Sequence, residues 1–560
     1  MKKLTLVGLC SLLTAAAWSQ QNNNGGSFTG NMESTFQYLN EDTVINANQP
    51  PEKGLLNSYM NVFYTHGNFK AGIRIESYLP RIQGYPNRFS GTGLGMRYIG
   101  YENDFIDITL GSFYEQFGSG MILRSYEDRA LGYDTFLDGA RVIFRPRDGV
   151  KIKGLYGLMR FSFQDGQIVH APAIVRGFDG EVHLNAAIPA LKDKKLDVTL
   201  GGSFVSKFQE DDRQDLVLPE NVGSYGGRAK LRYKKFTLDG EYIIKEQDPS
   251  VDNNFNYNYG HAALINFGYS TKGLGIAASA KSVDNMSFRS DRNAILQDAL
   301  INFLPPMNKI HTYNLVASLY PYATQPVGEM AYQAEILYTI PRGSVLGGKY
   351  GTSVNLNFST AYGPNRNEVS QDLIDSNRVF YQTGVFDMDD SLYWQDINFN
   401  IERKFNKKFK LKLAYFNIML NNDVAKVAEN AKGLVKTNIG VIEAGYKINR
   451  KHSLRGELQA LFIADTKEGE INDQGNWVTA VIEYNVSPNW FFSIMDQYNY
   501  GNPIESRQVH YIYASAGYIY GATRVTAGYG RQRAGLFCVG GVCRFVPASN
   551  GLTLSITHSF

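Results

Sequence analysis

Residues 551–560 read Gly-Leu-Thr-Leu-Ser-Ile-Thr-His-Ser-Phe. Leu552, Leu554, Ile556, His558 and Phe560 fall on one side of an extended chain; Thr553, Ser555, Thr557 and Ser559 fall on the other. Period two with unlike faces is the geometry of a strand. A strand that stops on an aromatic residue suits a barrel of the outer-membrane kind. Its last strand closes on its first, and its rim carries a girdle of aromatic rings. Phe560 then serves as the closure signal. The alternative is a strand that ends a soluble sandwich, and the rest of the sequence weighs against it.

Met1 to about Gln20 reads as an export signal, with Lys2 and Lys3 at the start, an apolar run from Leu4 to Ala17, and a small-x-small site at Ala17-Trp18-Ser19. Cys10 lies inside the apolar run, where Leu9 argues against a lipoprotein box. Residues 1–20 are set aside as a signal peptide and residues 21–560 as the barrel. No later stretch is long and apolar enough for a transmembrane helix. Yet 13% of residues are aromatic, with 36 Tyr, 33 Phe and 55 Gly, against 19% charged. That mixture suits lipid outside and water or polar groups inside. A net charge of +3 gives no field that calls for nucleic acid. Cys538 and Cys543 flank Val-Gly-Gly-Val, and an even pair in an exported chain predicts a disulfide at a hairpin tip.

One pattern repeats along the chain: an alternating run, a short turn, another run, a longer polar loop. Short turns stand at 66–68, 102–104, 147–149, 234–235, 271–273, around Lys407, and at 450–452, 487–489 and 521–522. Longer loops include 40–53, 81–91, 119–138, 164–175, 208–221, 247–257, 285–328, 363–391 and 535–548. Both ends of a single-chain barrel belong on the periplasmic side, so the strand number is even. Placing 311–321 inside one large loop satisfies this and leaves about 24 strands, within 22–26. The first strand is expected near Phe28, with no room ahead of it for a folded plug domain. That counts against an energised receptor of the siderophore or glycan type.

Three strands fix the faces. Phe409, Leu411, Leu413 and Tyr415 oppose Lys408, Lys410 and Lys412; Phe236, Leu238, Tyr242 and Ile244 oppose Thr237, Asp239 and Glu241; Leu454, Leu458 and Phe462 oppose Arg455, Glu457 and Gln459. A lysine facing lipid at mid-depth costs about 2–4 kcal/mol, so the charged faces belong to the lumen. The inferred lumen carries both signs, which predicts cross-strand pairs rather than an ion filter of one sign.

The stretch Ile108-Thr-Leu-Gly-Ser-Phe-Tyr-Glu-Gln-Phe-Gly-Ser-Gly-Met-Ile-Leu-Arg124, continued by Asp138-Gly139-Ala140-Arg141-Val142, resembles outer-membrane porins and exopolysaccharide-export barrels. In those, a similar strand leads into a loop folded inward. The resemblance implies that Glu115, Arg124, Glu127, Arg129 and Arg141 line a pore constriction. The alternative is an inward loop that simply closes the lumen. Across the mature chain, and especially from Gly530 through Cys543-Arg544-Phe545-Val546-Pro547 to Phe560, the sequence resembles Bacteroidota outer-membrane barrels of a family of unknown function. The family implies a fold and an address, and no functional residues.

Gly343-Ser-Val-Leu-Gly-Gly348-Lys349-Tyr350 approaches a phosphate-binding loop, but Tyr350 replaces the Ser/Thr and a strand follows, so it reads as a turn. Gly91-Thr-Gly93-Leu-Gly95 enters a strand and is no dinucleotide loop. No metalloprotease, nucleophile-elbow or Cys-x-x-Cys motif occurs. His170, His183 and His311 read as wall or loop residues. Acidic runs such as Glu210-Asp211-Asp212 and Asp387-Met388-Asp389-Asp390 read as solvated loop tips, with calcium binding as the alternative. Ile295, Leu296, Ala299, Leu300 and Phe303 share a helical face, which predicts a short amphipathic helix over 293–303.

The expectation is therefore an all-β, transmembrane antiparallel barrel without cofactor, metal site or catalytic residues. It would act as a passive channel or export conduit for a hydrophilic solute or glycan. The alternative is a plugged accessory barrel of an envelope secretion or assembly complex. Outer-membrane lipid, the barrel-assembly machinery during insertion, and an envelope complex are the expected partners.

Overall fold

The computed structural model describes residues 25–425, 433–464, 475–539 and 542–560, with backbone only over 536–539 and 542–544. The expected signal peptide lies outside the described residues. Twenty-four antiparallel strands form one closed sheet in which each strand pairs with its neighbours in sequence. The first, Ser27–Asn40, pairs with both Gly54–His66 and the last, Ser549–Ser559. Asn31 stands opposite Ser559 and Asn40 opposite Asn550. Gly30 and Phe560 then exchange both backbone hydrogen bonds at 2.9 Å, which completes the closure. A Cβ on Gly30 would lie 2.5 Å from the Phe560 ring, so this close approach needs glycine there.

Burial is inverted relative to a soluble protein. Ile73, Ile99, Leu238, Ile265, Leu458 and Ile482 are exposed, while Arg74, Glu76, Asp179, Lys207, Lys245 and Lys281 are buried. Leu413 and Tyr415 face outward, and Lys412 lies 4.8 Å from the Tyr313 ring inside. The alternation thus carries apolar residues to lipid and charges to the lumen, as the three strands above predict. Aromatic pairs gather near the short turns: Phe28 with Tyr64, Phe69 with Tyr101, Phe236 with Tyr269 and Trp490 with Tyr518, at 4.5–5.2 Å. They form the girdle at that end of the barrel. No helix among the described residues is long and apolar enough to cross a membrane.

Long and short connections alternate as expected, with three departures. The loop expected at 164–175 is a tight turn at Asp165-Gly166, both at positive φ, between strands Val150–Gln164 and Gln167–His183. On the short-turn side, 184–195 and 341–351 are longer than two-residue turns. The second contains the Gly343–Tyr350 stretch as a turn. The helix expected over 293–303 does not form. Leu296 and Ala299 have positive φ, Arg289 pairs with Leu300 in a β-bridge, and Ser290 N–H donates to Ala299 O. Its apolar residues lie instead on the exposed tip (Ile295, Leu296) and the returning arm (Ala299 to Phe303) of an irregular hairpin whose other arm is 286–290. The helix in this region is Asn314–Leu319 instead, inside the 311–321 stretch excluded from the strand count. Cys538 stands opposite Cys543 in the hairpin Gly535–Val539/Val542–Val546. The expected bridge falls on two side chains that lie outside the described residues.

Candidate functional site: two segments inside the lumen

Two connections from the long-loop end run into the barrel. The first, 114–136, carries two small hairpins, Gln116–Phe117 with Leu123–Arg124 and Glu127–Asp128 with Tyr133–Asp134. The wall holds it by charge. Lys153 Nζ donates to Glu115 Oε1 at 2.6 Å and to Gln116 O at 2.9 Å. Arg74 pairs with Glu127 through two 3.0 Å bonds. Arg129 donates to Glu33 Oε2 on the first strand at 2.7 Å and lies over the Tyr59 ring. From the opposite side, Glu241 Oε2 accepts from Ser119 N–H at 2.9 Å.

The second segment, 285–327, continues across the lumen. Lys207 and Lys245 donate to the carbonyls of Arg289 and Ser287 at 2.9 and 2.8 Å, and Lys281 to Pro305 O at 2.7 Å. Further along, Lys309 meets Glu335 at 2.9 Å, His311 meets Asp396 at 2.6 Å, and Leu315 N–H donates to the Gln459 side chain at 2.9 Å. Asn314 also bonds Gln497. The two segments meet: Arg124 N–H donates to Ile301 O, Phe303 N–H donates to Gly120 O, and the Arg124 guanidinium lies 4.1 Å from the centre of the Phe303 ring.

Apolar packing accompanies these bonds. Phe117, Met121, Ile122, Met286, Phe288 and Ile301 pack against Leu155, Val205, Val222 and Ile243 of the wall. Leu315, Val316 and Leu319 pack with Phe416, Ile418, Ile439 and Leu461. Full burial of such side chains is worth about 1.5–3 kcal/mol each. Buried ion pairs contribute less net stability, since desolvation offsets the attraction, but removing one partner costs about 3–5 kcal/mol. Apolar contact therefore seats the segments, and the ion pairs fix where they sit.

At the short-turn end the wall is wetter. The side chains of Lys151, Lys230, Lys410 and Glu402 are 41–51% exposed, whereas Lys207, Lys245 and Lys281 near the long loops are buried. A cavity of about 380 Å³ lies under residues 309–313, lined among others by Glu335, Asn355, Asn400, Glu402 and Lys412. The lumen is thus packed in its outer half and hollow in its inner half.

All five residues singled out from the sequence are engaged. Glu115 binds Lys153 and lies 3.5 Å from Arg141, which also binds Asp107 at 3.0 Å. Arg124 is stacked between Tyr126 and Phe303, and Glu127 and Arg129 hold each other and the wall. Glu115 and Arg141 thus belong to one charge cluster and Glu127 and Arg129 to another, with Arg124 held between rings, rather than all five forming one ring. The sequence reading missed the apolar stations on the charged face, such as Val205, Val222 and Ile243. Their signal was legible: Ile243 breaks the run Thr237, Asp239, Glu241, Lys245, and an open aqueous wall has no use for it. His170 and His183 pair with Asp138 and Asp197 in the wall. Among the described residues no group of three or more His, Cys, Asp or Glu could hold a metal ion.

Outside the spanning strands, Asp248 sits between two buried lysines, 2.6 Å from Lys207 and 3.5 Å from Lys245. Burial pushes its carboxyl upward, but the two ammonium groups outweigh burial and hold it below the usual carboxylate range.

A family of unknown function, DUF6029, matches residues 1–560. The chain belongs to that family. No curated protein matches it in sequence. Among solved structures it is similar to the siderophore receptor PirA from Pseudomonas aeruginosa, with 10% identity, 96% of this chain and 81% of that one covered, and a TM-score of 0.42. It is also similar to the outer membrane transporter YddB from Escherichia coli, with 7% identity, 97% and 81% covered, and a TM-score of 0.39. For the P pilus usher PapC translocation pore the figures are 7%, 95% and 99%, and 0.32.

Proposed function

We propose that this DUF6029 protein is an outer-membrane barrel whose lumen is plugged by its own chain, and that it serves as an accessory or scaffold of an envelope secretion or assembly complex. The observation that carries this reading is the meeting of segments 114–136 and 285–327 inside the sheet. Side-chain anchors reach them from Glu33 on the first strand to Gln497 near the last. A passive conduit for hydrophilic solutes needs a continuous wet path, and apolar packing against Val205, Ile243 and Phe416 opposes one. The hollow inner half leaves a polar vestibule on the short-turn, periplasmic side, where a partner has access to it.

Single-channel recording in a planar bilayer tests the plug. The intact, correctly folded barrel is expected to be silent. Replacing 116–124 and 290–320 together by short Gly-Ser linkers is expected to produce stable conductance steps. Steady conductance from the intact protein would overturn the plugged reading. The scaffold role is tested in native membranes by photo-crosslinking from the vestibule residue Asn400. A discrete protein adduct supports it, and adducts to lipid alone sink it.

A further inference from the structure

A second cavity, of about 180 Å³, opens at the long-loop end. Three separate connections and two strand ends build it. Val44, Ile45 and Asn46 come from 41–53, Asn499, Asn502, Arg507 and Val509 from 499–509, Arg533 and Ala534 from 533–548, and Trp477 and Tyr511 from the adjoining strand ends. That volume is the room of about six waters, enough for one ring-sized polar ligand.

Among the described residues the lining carries Arg507 and Arg533 and no carboxylate. The Arg533 guanidinium lies 5.8 Å from the Trp477 ring centre and donates to two carbonyls, Ala534 O and Ser318 O. Carbonyl oxygens satisfy donors, but they do not neutralise a charge. Burial pulls the guanidinium below its usual range, with Tyr511 and Tyr320 opposing it. A fork of donors beside a flat ring is an arrangement that receives a carboxylate or phosphate.

The cavity also wants a donor. Asn499 is 3% exposed, and its Oδ1 has no hydrogen-bond partner. A buried acceptor left bare costs about 1–3 kcal/mol. A ligand hydroxyl would satisfy it. Trp477 and Tyr511 stack with ring centres 6.0 Å apart and supply apolar surface.

We infer that this cavity binds one acidic sugar unit from the outside, with its anionic group on Arg533 and a hydroxyl on Asn499. A free inorganic anion lacks the ring and the matching hydroxyl geometry, and a neutral sugar lacks the charge. Because Arg533 also bonds Ser318 O of the helix inside the lumen, the occupied cavity shares a side chain with the second inward segment. The assignment stands whether or not the lumen conducts, since its test reads binding and not current.

The test is isothermal titration of the folded, detergent-solubilised full chain with glucuronate, glucose and inorganic phosphate. Glucuronate is expected to bind at least about tenfold more tightly than either of the others, the worth of one charge-assisted pair. Arg533→Gln is expected to weaken glucuronate by about tenfold or more, and Asn499→Ala by several-fold. Ala534→Trp, at the exposed edge, is expected to block binding by filling the mouth while the barrel keeps its heat-modifiable gel mobility. Three results would overturn the inference: no glucuronate binding by the intact protein, unchanged binding by folded Arg533→Gln, or phosphate binding as tightly as glucuronate.

Discussion

Arg160 on the seventh strand and Glu76 on the third form a two-bond ion pair, at 2.8 and 2.7 Å, with both side chains fully buried. Asp134 of the first inward segment takes a third bond from Arg160 at 2.8 Å, and the rings of Phe89, Phe136 and Phe163 surround the guanidinium at 5.4–5.5 Å. Wall, loop 79–90 and inward segment are thereby joined at one cation.

Removing that cation leaves the buried Glu76 and Asp134 with Arg74 alone, at 3.6 and 3.3 Å, in place of two cations. Arg160→Met is expected to destabilise the barrel by about 3–5 kcal/mol, read as a lower urea midpoint and faster hydrogen exchange over 114–136. Arg160→Met with Glu76→Leu is expected to recover much of the loss, because an apolar pair needs no solvation. A double variant as unstable as the single would show that the position depends on charge itself.

Adjacent residues on one strand test the faces. Ile265 points outward beside the mid-strand Gly240, and Asn266 points inward opposite Asp239. Ile265→Lys is expected to cost about 2–4 kcal/mol in lipid vesicles. Asn266→Lys is expected to cost less than half of that, since the lysine gains water and Asp239. Equal costs would reverse the assignment of lumen and lipid.

Asp248 gives the pH dependence. Its folded-state carboxyl lies below the model-compound value of 3.8, because Lys207 and Lys245 outweigh burial. A depressed carboxyl contributes stability that is fully present above the unfolded value and lost as pH falls through the folded one. Protection of 246–259 and 285–292 from exchange is therefore expected to hold from neutrality down to about pH 4 and to fail only below it. Asp248→Asn is expected to lose that protection at neutral pH, by leaving two lysines dry.

What the sequence reveals here follows from the period of a strand. Alternation along Phe236–Lys245 and Leu454–Phe462 marks two faces, and parity marks 311–321 as non-spanning, so the strand count survives in the closed sheet. Contacts inside the lumen do not share that legibility. Lys207, Lys245 and Lys281 have the same alternation as the wet Lys410, and what sets them apart is the 285–327 segment, whose carbonyls they bond and under which they are buried. The 293–303 stretch misleads because the tip and the returning arm of one hairpin happen to place apolar residues in a helix-like rhythm. Nothing local discloses that Leu296 and Ala299 take positive φ. Among the five charged residues picked near 115–141, Glu115 and Arg141 share one cluster and Glu127 and Arg129 another, a division that depends on Lys153 and Glu33 outside that stretch.

Closure of the barrel rests on Gly30 and Phe560. Their paired backbone bonds continue the ladder one residue past Ser559, and the Phe560 ring covers the α-carbon of Gly30. Phe560→Ala keeps the backbone bonds and loses the ring, so it is expected to slow closure while leaving the folded barrel weaker by no more than about 1.5–3 kcal/mol. Gly30→Val forces a branched side chain into the ring and is expected to do more, displacing Phe560 and parting the first strand from the last. The measurement is the heat-modifiable fraction during refolding into vesicles. The combination Gly30→Val with Phe560→Ala is expected to refold better than Gly30→Val alone, because the obstructing ring is gone. If the pair refolds no better, the Asn61 carbonyl oxygen, which a Cβ on Gly30 would also meet at 2.5 Å, is the greater obstacle and the ring is not what excludes a side chain there.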